Sequence, residues 1–562
     1  MTNFSPIEAH ERPIKRVFSD DYAFEIPAYQ RPYAWEVEQA RELLADLLDA
    51  MDDPNTSGGV YFLGSIVLIK SPSSPHAKVV DGQQRLTTLT ILLSVLRDLT
   101  EDTERRLDRG GYVHQKANPD TGAAARHRLL LRERDRDFFH DNVQKAGATD
   151  NLPSPETLQG SQQRIAENAA YFRQKLEATT ETRRDQLVKF IIQHCYLVVV
   201  AVPTADAARR IFTVLNARGL DLTATDILKA DLLDRAGSER EEALAKRWEA
   251  VELELGRDPF VELFGHIRMM NEREKPRSAL ETAFPDKVPA FRKDPEIFVR
   301  DVLEPAADAY DTLNDPGEVR TAFGMDAQRA VRSLNRIDNK DWVAPAMLRL
   351  LKREANDGPM IAQFLIDLER LAYFLFVTRA DVNTRMMRYA AVMDEFEPRE
   401  GRPDPEFGLQ LSEGEKAAFI QTLDGPLYRR SRVCRPILER LDEALSSGGA
   451  EYEHPIVSIE HVLPQTVGED DEWASLIPEA SVREQWVHRL ANLVLLTRRI
   501  NTRASNWDFK RKKNEYFLSH DGVSPFHLTQ QVREEETWTE EVLSKRQAML
   551  IHRLKQLWRL EA

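Results

Sequence analysis

The chain has 562 residues, 42% of them hydrophobic and 30% charged, and a net charge of −15, which predicts a globular protein of about three or four domains with ample core. Two cysteines, Cys195 and Cys434, exclude a disulfide framework and point to a reducing, cytoplasmic setting. The start "MTNFSPIEAHERPIKRVF" has no apolar signal core, and no stretch approaches the ~18 uninterrupted apolar residues of a membrane span, so secretion and membrane insertion are not expected.

The first hundred residues read as mixed α/β. "VYFLGSIVLI" (60–69) predicts a buried strand, and "KVV" leads into an Asp81–Gly82 turn and a helix whose core stripe is Leu86, Leu89, Leu93 and Leu96. The helix mouth carries Gln83, Gln84 and Arg85. Free N–H groups and a partial positive charge make such a mouth attractive to anions, with Asp81 as the expected cap and Arg85 as a fork for phosphate or carboxylate. A strand–turn–helix packing unit with solvated polar side chains is the bland alternative. From 101 to 190 the pattern is helical and highly charged, including "RHRLLLRERDRDFF" (126–139), with "LDRGGYVHQKANPDTG" as a loop.

"CYLVVVAVP" (195–203) predicts a strand stopped by Pro203, followed by a helix, "ADAARRIFTVLNARG", that ends at Gly219. "LTATDILKADLLDRAG" opens with a capping-box-like Thr223-x-x-Asp226. Residues 240 to 445 read as amphipathic helices broken at "FPDKVPAF" and "EPREGRPDPEFG", with "SSGGA" (446–450) as a linker. "PIVSIEHVLPQT" and "NLVLLT" (492–497) predict two strands, and "NWDFKRKKNEYFLS" a terminal helix.

Residues 483–514 carry nine Lys or Arg against Glu484 and Asp508, a net of +7 inside an acidic chain, which marks a candidate nucleic-acid contact or else a solvated basic face. Glu460 and His461 are adjacent on the first strand of this region. Asn492 follows His461 by 31 residues, and Asn501 follows Asn492 by nine. A His beside an acid, with distant Asn residues on a hairpin-then-helix, is what metal-dependent phosphodiester cleavage requires. The imidazole takes a proton from water, oxygen ligands hold a divalent ion, and cations hold the phosphate. A hairpin histidine satisfied inside a core is the alternative, and His454 and His488 match no motif.

"IEHVLPQT…NLVLLTRRINTRASN" resembles the HNH, or His-Me finger, nucleases. The resemblance implies His461 as general base, Glu460 and Asn501 as ligands of Mg²⁺ or Mn²⁺, and Asn492 as the catalytic-site Asn that braces the loop. It places Arg498, Arg499, Arg503 and Lys510 at the DNA phosphates. Glu460 departs from the family's usual Asp, and no Cys pair supports a structural zinc. "IPAYQRPYAWEVEQARELLADL" (26–47), "VVDGQQRLTTL" (79–89) and "IFTVLNARGLDLTATDILKADLL" (211–233) resemble the GmrSD family of modification-dependent, type IV-like restriction proteins. That resemblance implies an α+β, mostly helical chain. Residues 1–238 would form a ParB/sulfiredoxin-like domain that binds and hydrolyses an NTP such as GTP, 239–445 a helical connector, and 446–562 a ββα-metal nuclease domain.

In this reading the nucleotide site comprises Gln30, Arg31, Tyr33, Trp35, Asp81, Gly82, Gln83, Gln84 and Arg85; an aromatic clamp on the sheet is the alternative for "YQRPYAW". The implied function is an NTP-regulated DNA endonuclease, nicking or cutting both strands, that senses modified cytosine or phosphorothioate linkages in phage or host DNA. Its partners are DNA and the nucleotide, with homo-oligomerisation open and no membrane. A DNA-binding NTPase switch with an inactive nuclease domain, and a nuclease toxin held off by NTP turnover, stay open as alternatives.

Overall fold

The computed structural model describes all residues except 1–7, 54–59, 73, 118–119, 121–123, 205–222, 399–407, 447–456, 469–470, 498–506, 517, 520–521, 524–525 and 562. The chain divides into two compact units, Met1–Glu249 and Ala250–Ala562.

A six-stranded mixed sheet organises the first unit. Its strands are β1 (Glu8–Pro13), β2 (Ala23–Glu25), β3 (Tyr61–Lys70), β4 (His76–Asp81), β5 (Leu129–Leu130) and β6 (Cys195–Val202), in the order β1–β6–β3–β4–β2–β5. β3 runs parallel to β6 and antiparallel to β4, and β2 runs parallel to both β4 and β5. The helices α1 (Val37–Asp52), α2 (Gln83–Asp98), α3 (Gly160–Glu177) and α4 (Glu181–His194) share one core with the sheet. The Leu stripe of α2 is buried as expected, but Thr87, Thr88, Thr90 and Ser94 are buried too. Thr90 satisfies its hydroxyl on the Leu86 carbonyl (2.8 Å), which is how a polar residue is tolerated on a helix enclosed on most sides.

Two local readings are corrected here. Residues 126–139 are not one helix. Arg126–His127 pair with His114–Gln115, Leu129 and Leu130 pair with Phe24 and Glu25, and helix starts only at Glu133. Sheet pairing overrides the local helical propensity, and Arg128 is held to Asp20 (2.9 Å) and to the Gly111 carbonyl (2.6 Å). The preceding "loop" begins inside a helix, Thr103–Gly110. The helix expected at 205–219 lies outside the described residues. Helix α5 (Ala224–Ala236) starts on the capping box expected of Thr223 and Asp226, and is followed by α6 (Ser238–Leu255).

The second unit is a helical array completed by a small hairpin. Of "FPDKVPAF", Pro289 makes the break by opening a new helix, while Pro285 sits inside the helix Leu280–Lys287. The helices α7 (Gly358–Val377), α8 (Glu413–Leu423) and α9 (Ser431–Leu445) precede the antiparallel hairpin of β7 (Val457–His461) and β8 (Leu493–Thr497). Helix α10 (Phe509–Tyr516) is not terminal, because α11 (His527–Glu534) and α12 (Glu540–Trp558) follow. Near the end of α12, Trp558 packs on Tyr373 and Phe419 at 5.0 and 5.1 Å, and Arg440 bonds the buried Glu369 at 2.6 Å. No helix among the described residues is long and apolar enough to cross a membrane. Cys195 and Cys434 are buried and unbridged, and burial pushes both thiols up to about 12.

Candidate functional site

The turn before α2 owes its shape to Gly82. Its φ is +88°, and a Cβ there would lie 2.5 Å from the Ile66 side chain, so only glycine fits without displacing β3. Gly82 is itself the N-cap and no side chain caps the helix, which corrects the expected capping role of Asp81, the last residue of β4. Arg85 lies over a bulge in β3, where the register with β6 shifts between Phe62 and Ser65. It donates to the Ser65 carbonyl (3.1 Å), and Gly64 beneath it has φ +106°.

Most of the remaining residues expected at the nucleotide site knit the "YQRPYAW" loop to the core. Gln84 Oε1 accepts from the Ala34 and Trp35 N–H groups (2.8 and 3.3 Å), and its Nε2 donates to the Pro32 carbonyl (3.0 Å). Gln30 donates to the Val80 carbonyl (2.8 Å). Tyr33 is buried, its hydroxyl bonded to Thr88 (2.7 Å) and Asn168 (2.8 Å), and burial raises its pKa strongly. Gln83 is buried, and Trp35 is partly buried against the core. Arg31 is half-buried on the same loop. These bonds place Gln30, Tyr33 and Gln84 as scaffold beneath whatever the loop presents. Replacing Gln84 by Ala is therefore expected to destabilise the first unit by about 0.5–1.5 kcal/mol, the net worth of hydrogen bonds to exposed and partly buried backbone groups. An unchanged thermal unfolding curve would show that Gln84 does not hold the loop.

Beside this loop, a cleft of about 500 Å³ is lined by Lys78, Arg134, Arg136 and Lys246 facing Glu25, Glu133, Glu241 and Glu242. At its base the buried Arg132 bonds Asp135 (2.9 Å) and pairs with Glu249, which also takes Lys229 (2.8 Å). No motif marks this mixed-charge cleft in the sequence.

In the second unit, His461 ends β7 opposite Leu493. The ring is 5% exposed, and its Nε2 has no hydrogen-bond partner among the described residues. Gln465 Nε2 lies 3.4 Å from Nδ1, where turning the amide serves either tautomer. Desolvation first, then His488 and Lys512, push the imidazole pKa down to about 3, so the ring is neutral. The Tyr428 ring meets it edge-on at 4.2 Å, and His488 packs on both at 5.6 Å. Neither neighbour is marked by a motif: Tyr428 comes from the turn before α9, and His488 precedes β8.

Asn492 lies just ahead of β8 at 0% exposure and uses its whole amide. Oδ1 accepts from the Leu463 N–H (2.7 Å) and Trp538 Nε1 (3.1 Å), while Nδ2 donates to the carbonyls of Leu463 (2.9 Å) and Val487 (3.0 Å). It braces the chain leaving His461 and has no capacity left for chemistry, so of the two roles grouped at this position only bracing fits.

Glu460, one residue from His461 on a pleated strand, faces away from the imidazole. Its Oε1 accepts from Lys512 Nζ (3.0 Å), which also donates to the His461 carbonyl (2.7 Å). Desolvation lowers the pKa of this buried lysine. Among the described residues no three His, Cys, Asp or Glu side chains gather around a point that could hold an ion, and a protein ammonium already occupies Glu460. The described residues do not by themselves fit a metal centre. Asn501, Arg498, Arg499, Arg503 and His454 lie outside the described residues.

Among the described residues of the basic window, most cations make contacts within the protein. Arg483 donates to the Ile477 and Pro478 carbonyls, Arg489 and Arg511 lie over Trp486 and Trp507, and Lys512 is buried. Lys510 is exposed on α10.

Two family models match this chain. That of the GmrSD restriction endonuclease N-terminal domain covers residues 14–233, and that of the GmrSD C-terminal domain covers residues 415–553. Together they span more than half of the sequence. The chain belongs to the GmrSD restriction endonuclease family. No curated protein matches it. The C-terminal match begins within α8, so Tyr428 belongs to the same GmrSD domain as His461, Asn492, Lys512 and Trp538.

Proposed function

We propose that this GmrSD chain is a DNA endonuclease whose general base is His461, and that it restricts foreign DNA according to its modification state under nucleotide control. The observation that carries the reading is the neutral, buried imidazole with an unpaired nitrogen. Asn492 braces the chain leaving His461, which lies within the stretch matching the family's C-terminal domain. A histidine so held can draw the proton from an attacking water. Arg498, Arg499, Arg503 and Lys510 are proposed to meet the phosphates. The substrate proposed is DNA with modified cytosine or, alternatively, DNA sorted by phosphorothioate linkages.

Two parts of the proposal rest on the family resemblance. One is a divalent ion, Mg²⁺ or Mn²⁺, at Glu460 and Asn501. An ion there would have to compete with Lys512, which pairs with Glu460 at 3.0 Å. The other is NTP hydrolysis by the first unit, with Asp81, Gly82, Arg85 and Arg31 as the nucleotide-facing residues of the α2 mouth. Cleavage of modified and unmodified DNA, with and without NTP and Mg²⁺, tests all parts together. Cleavage that depends on modification and responds to NTP is expected. Arg85→Ala should remove NTP hydrolysis and its control of cleavage while the protein stays folded. Indifference of cleavage to both modification and NTP would reject the regulatory half of the reading.

A further inference from the structure

The chain is acidic overall, yet residues 425–438 contain Arg429, Arg430, Arg432 and Arg435 and no Asp or Glu. This stretch is fixed to the His461 site at its first end. The Tyr428 ring lies 4.2 Å from the His461 ring, and the Tyr428 N–H donates to the His488 carbonyl at 3.0 Å. Arg430 Nη1 donates to the Val377 carbonyl (2.8 Å), tying the next residues to the end of α7.

Two of the arginines then point into solvent with only loose partners. Arg429 stands 3.7 Å from Glu484, their side chains 59% and 76% exposed, and Arg432 stands 3.5 Å from Asp338, at 85% and 53%. Exposed pairs of this kind contribute little and exchange readily for another anion. Beyond Arg432 a cleft of about 510 Å³ takes in Ser431, Arg385 and Arg379. Arg385 is paired with Asp341 (2.6 Å), whereas the exposed Arg379 side chain has no partner among the described residues. The cleft is thus edged by cations, with Asp338 the acid on its rim.

We infer that the Arg429–Arg432 face, continuing to Arg379, is a phosphate-backbone contact that guides a DNA strand onto His461. The inference rests on the nuclease reading above and adds to it a surface outside the basic window of residues 483–514. Each strand of duplex DNA carries one phosphate per ~3.4 Å of helix axis, so a strand with a phosphate at His461 presents further phosphates within reach of residues one to four positions from Tyr428. Guanidinium groups suit this partner because their planar fork meets phosphate oxygens in pairs. The contact reads backbone and not sequence.

The test uses the full chain carrying His461→Ala, so that DNA is bound without being cut. Fluorescein-labelled duplexes, one unmodified, one carrying modified cytosine and one carrying phosphorothioate linkages, are each titrated by anisotropy over a series of NaCl concentrations. Removing Arg429 and Arg432 together (R429Q/R432Q) should lower the slope of log K against log[salt] by about 0.9 per lost phosphate contact, about 1.8 in all. The charge-matched R292Q/R300Q, at two exposed arginines elsewhere in the unit, should leave the slope unchanged. A slope for R429Q/R432Q equal to that of the parent, with binding intact, overturns the inference and leaves the nuclease reading standing. A parent that binds no duplex at any salt overturns both.

Discussion

His461→Ala should lower DNA cleavage by about 10²–10⁴-fold, the usual cost of losing a general base, while the protein keeps its fold. The expectation of an intact fold comes from the site itself. The imidazole contributes no hydrogen bond through Nε2 to any described residue, so deletion strands no partner there and removes a buried polar atom that was itself unsatisfied. The same variant should change the acid response. The folded-state pKa of His461 is near 3 and its unfolded value near 6.5. Between those limits the unfolded chain binds a proton that the folded chain does not, so stability falls as pH drops below about 6.5 and stops falling on this account near 3. His266 and His127, both pushed down to about 4 with desolvation as the leading cause, add slopes of the same sign. Melting curves across this range should therefore be less steep in pH for His461→Ala than for the parent. An identical pH slope would mean that the imidazole is not held neutral.

Asn492→Ala should fail differently, through stability. Four groups lose their partner at once: the Leu463 N–H and carbonyl, the Val487 carbonyl and the Trp538 indole N–H. With each stranded buried group costing roughly 1–3 kcal/mol, a loss of ~3 kcal/mol or more is expected, visible as a lowered melting temperature and altered tryptophan emission. Cleavage should fall along with it, because the chain leaving His461 is no longer held. Asn492→Asp keeps the acceptor, loses both donated bonds and buries a charge, and should also destabilise. A variant at Asn492 that melts like the parent yet cuts nothing would restore a direct chemical role to this residue.

The parts of this chain legible in the sequence are those with a local physical cause. The Asp-Gly turn required a left-handed glycine, the β-branched run at 195–202 required a buried strand, and Thr223-x-x-Asp226 formed its capping box. "SIEH" and "NLVLLT" paired as a hairpin with His461 at the strand end. What was not legible is decided by pairing across the chain. Leu129 and Leu130 joined the sheet because Phe24 and Glu25 offered them a ladder, and Arg126 and His127 paired separately with His114 and Gln115, against the helical composition of the stretch. Gln84 reads as a polar residue at a helix mouth, and only the fold reveals that its amide matches the backbone of residues 32–35. Lys512 was visible as one charge in a basic run. Its burial against Glu460 and the His461 carbonyl is a tertiary fact that composition cannot express. Tyr428 carries no signal at all, since its contact with His461 spans a segment without sequence markers.

The measurement that bears most directly on His461 as the base of a DNA nuclease is chemical rescue. Removing the buried ring leaves an imidazole-shaped space walled by Tyr428 and His488. Plasmid DNA is incubated with His461→Ala at rising imidazole concentration, with the parent enzyme and the imidazole-free variant alongside. The account predicts that cleavage returns in proportion to the neutral form of imidazole, and so rises with pH through its pKa. Cleavage at the parental rate without imidazole, or none at any imidazole concentration from a variant that melts like the parent, would contradict it.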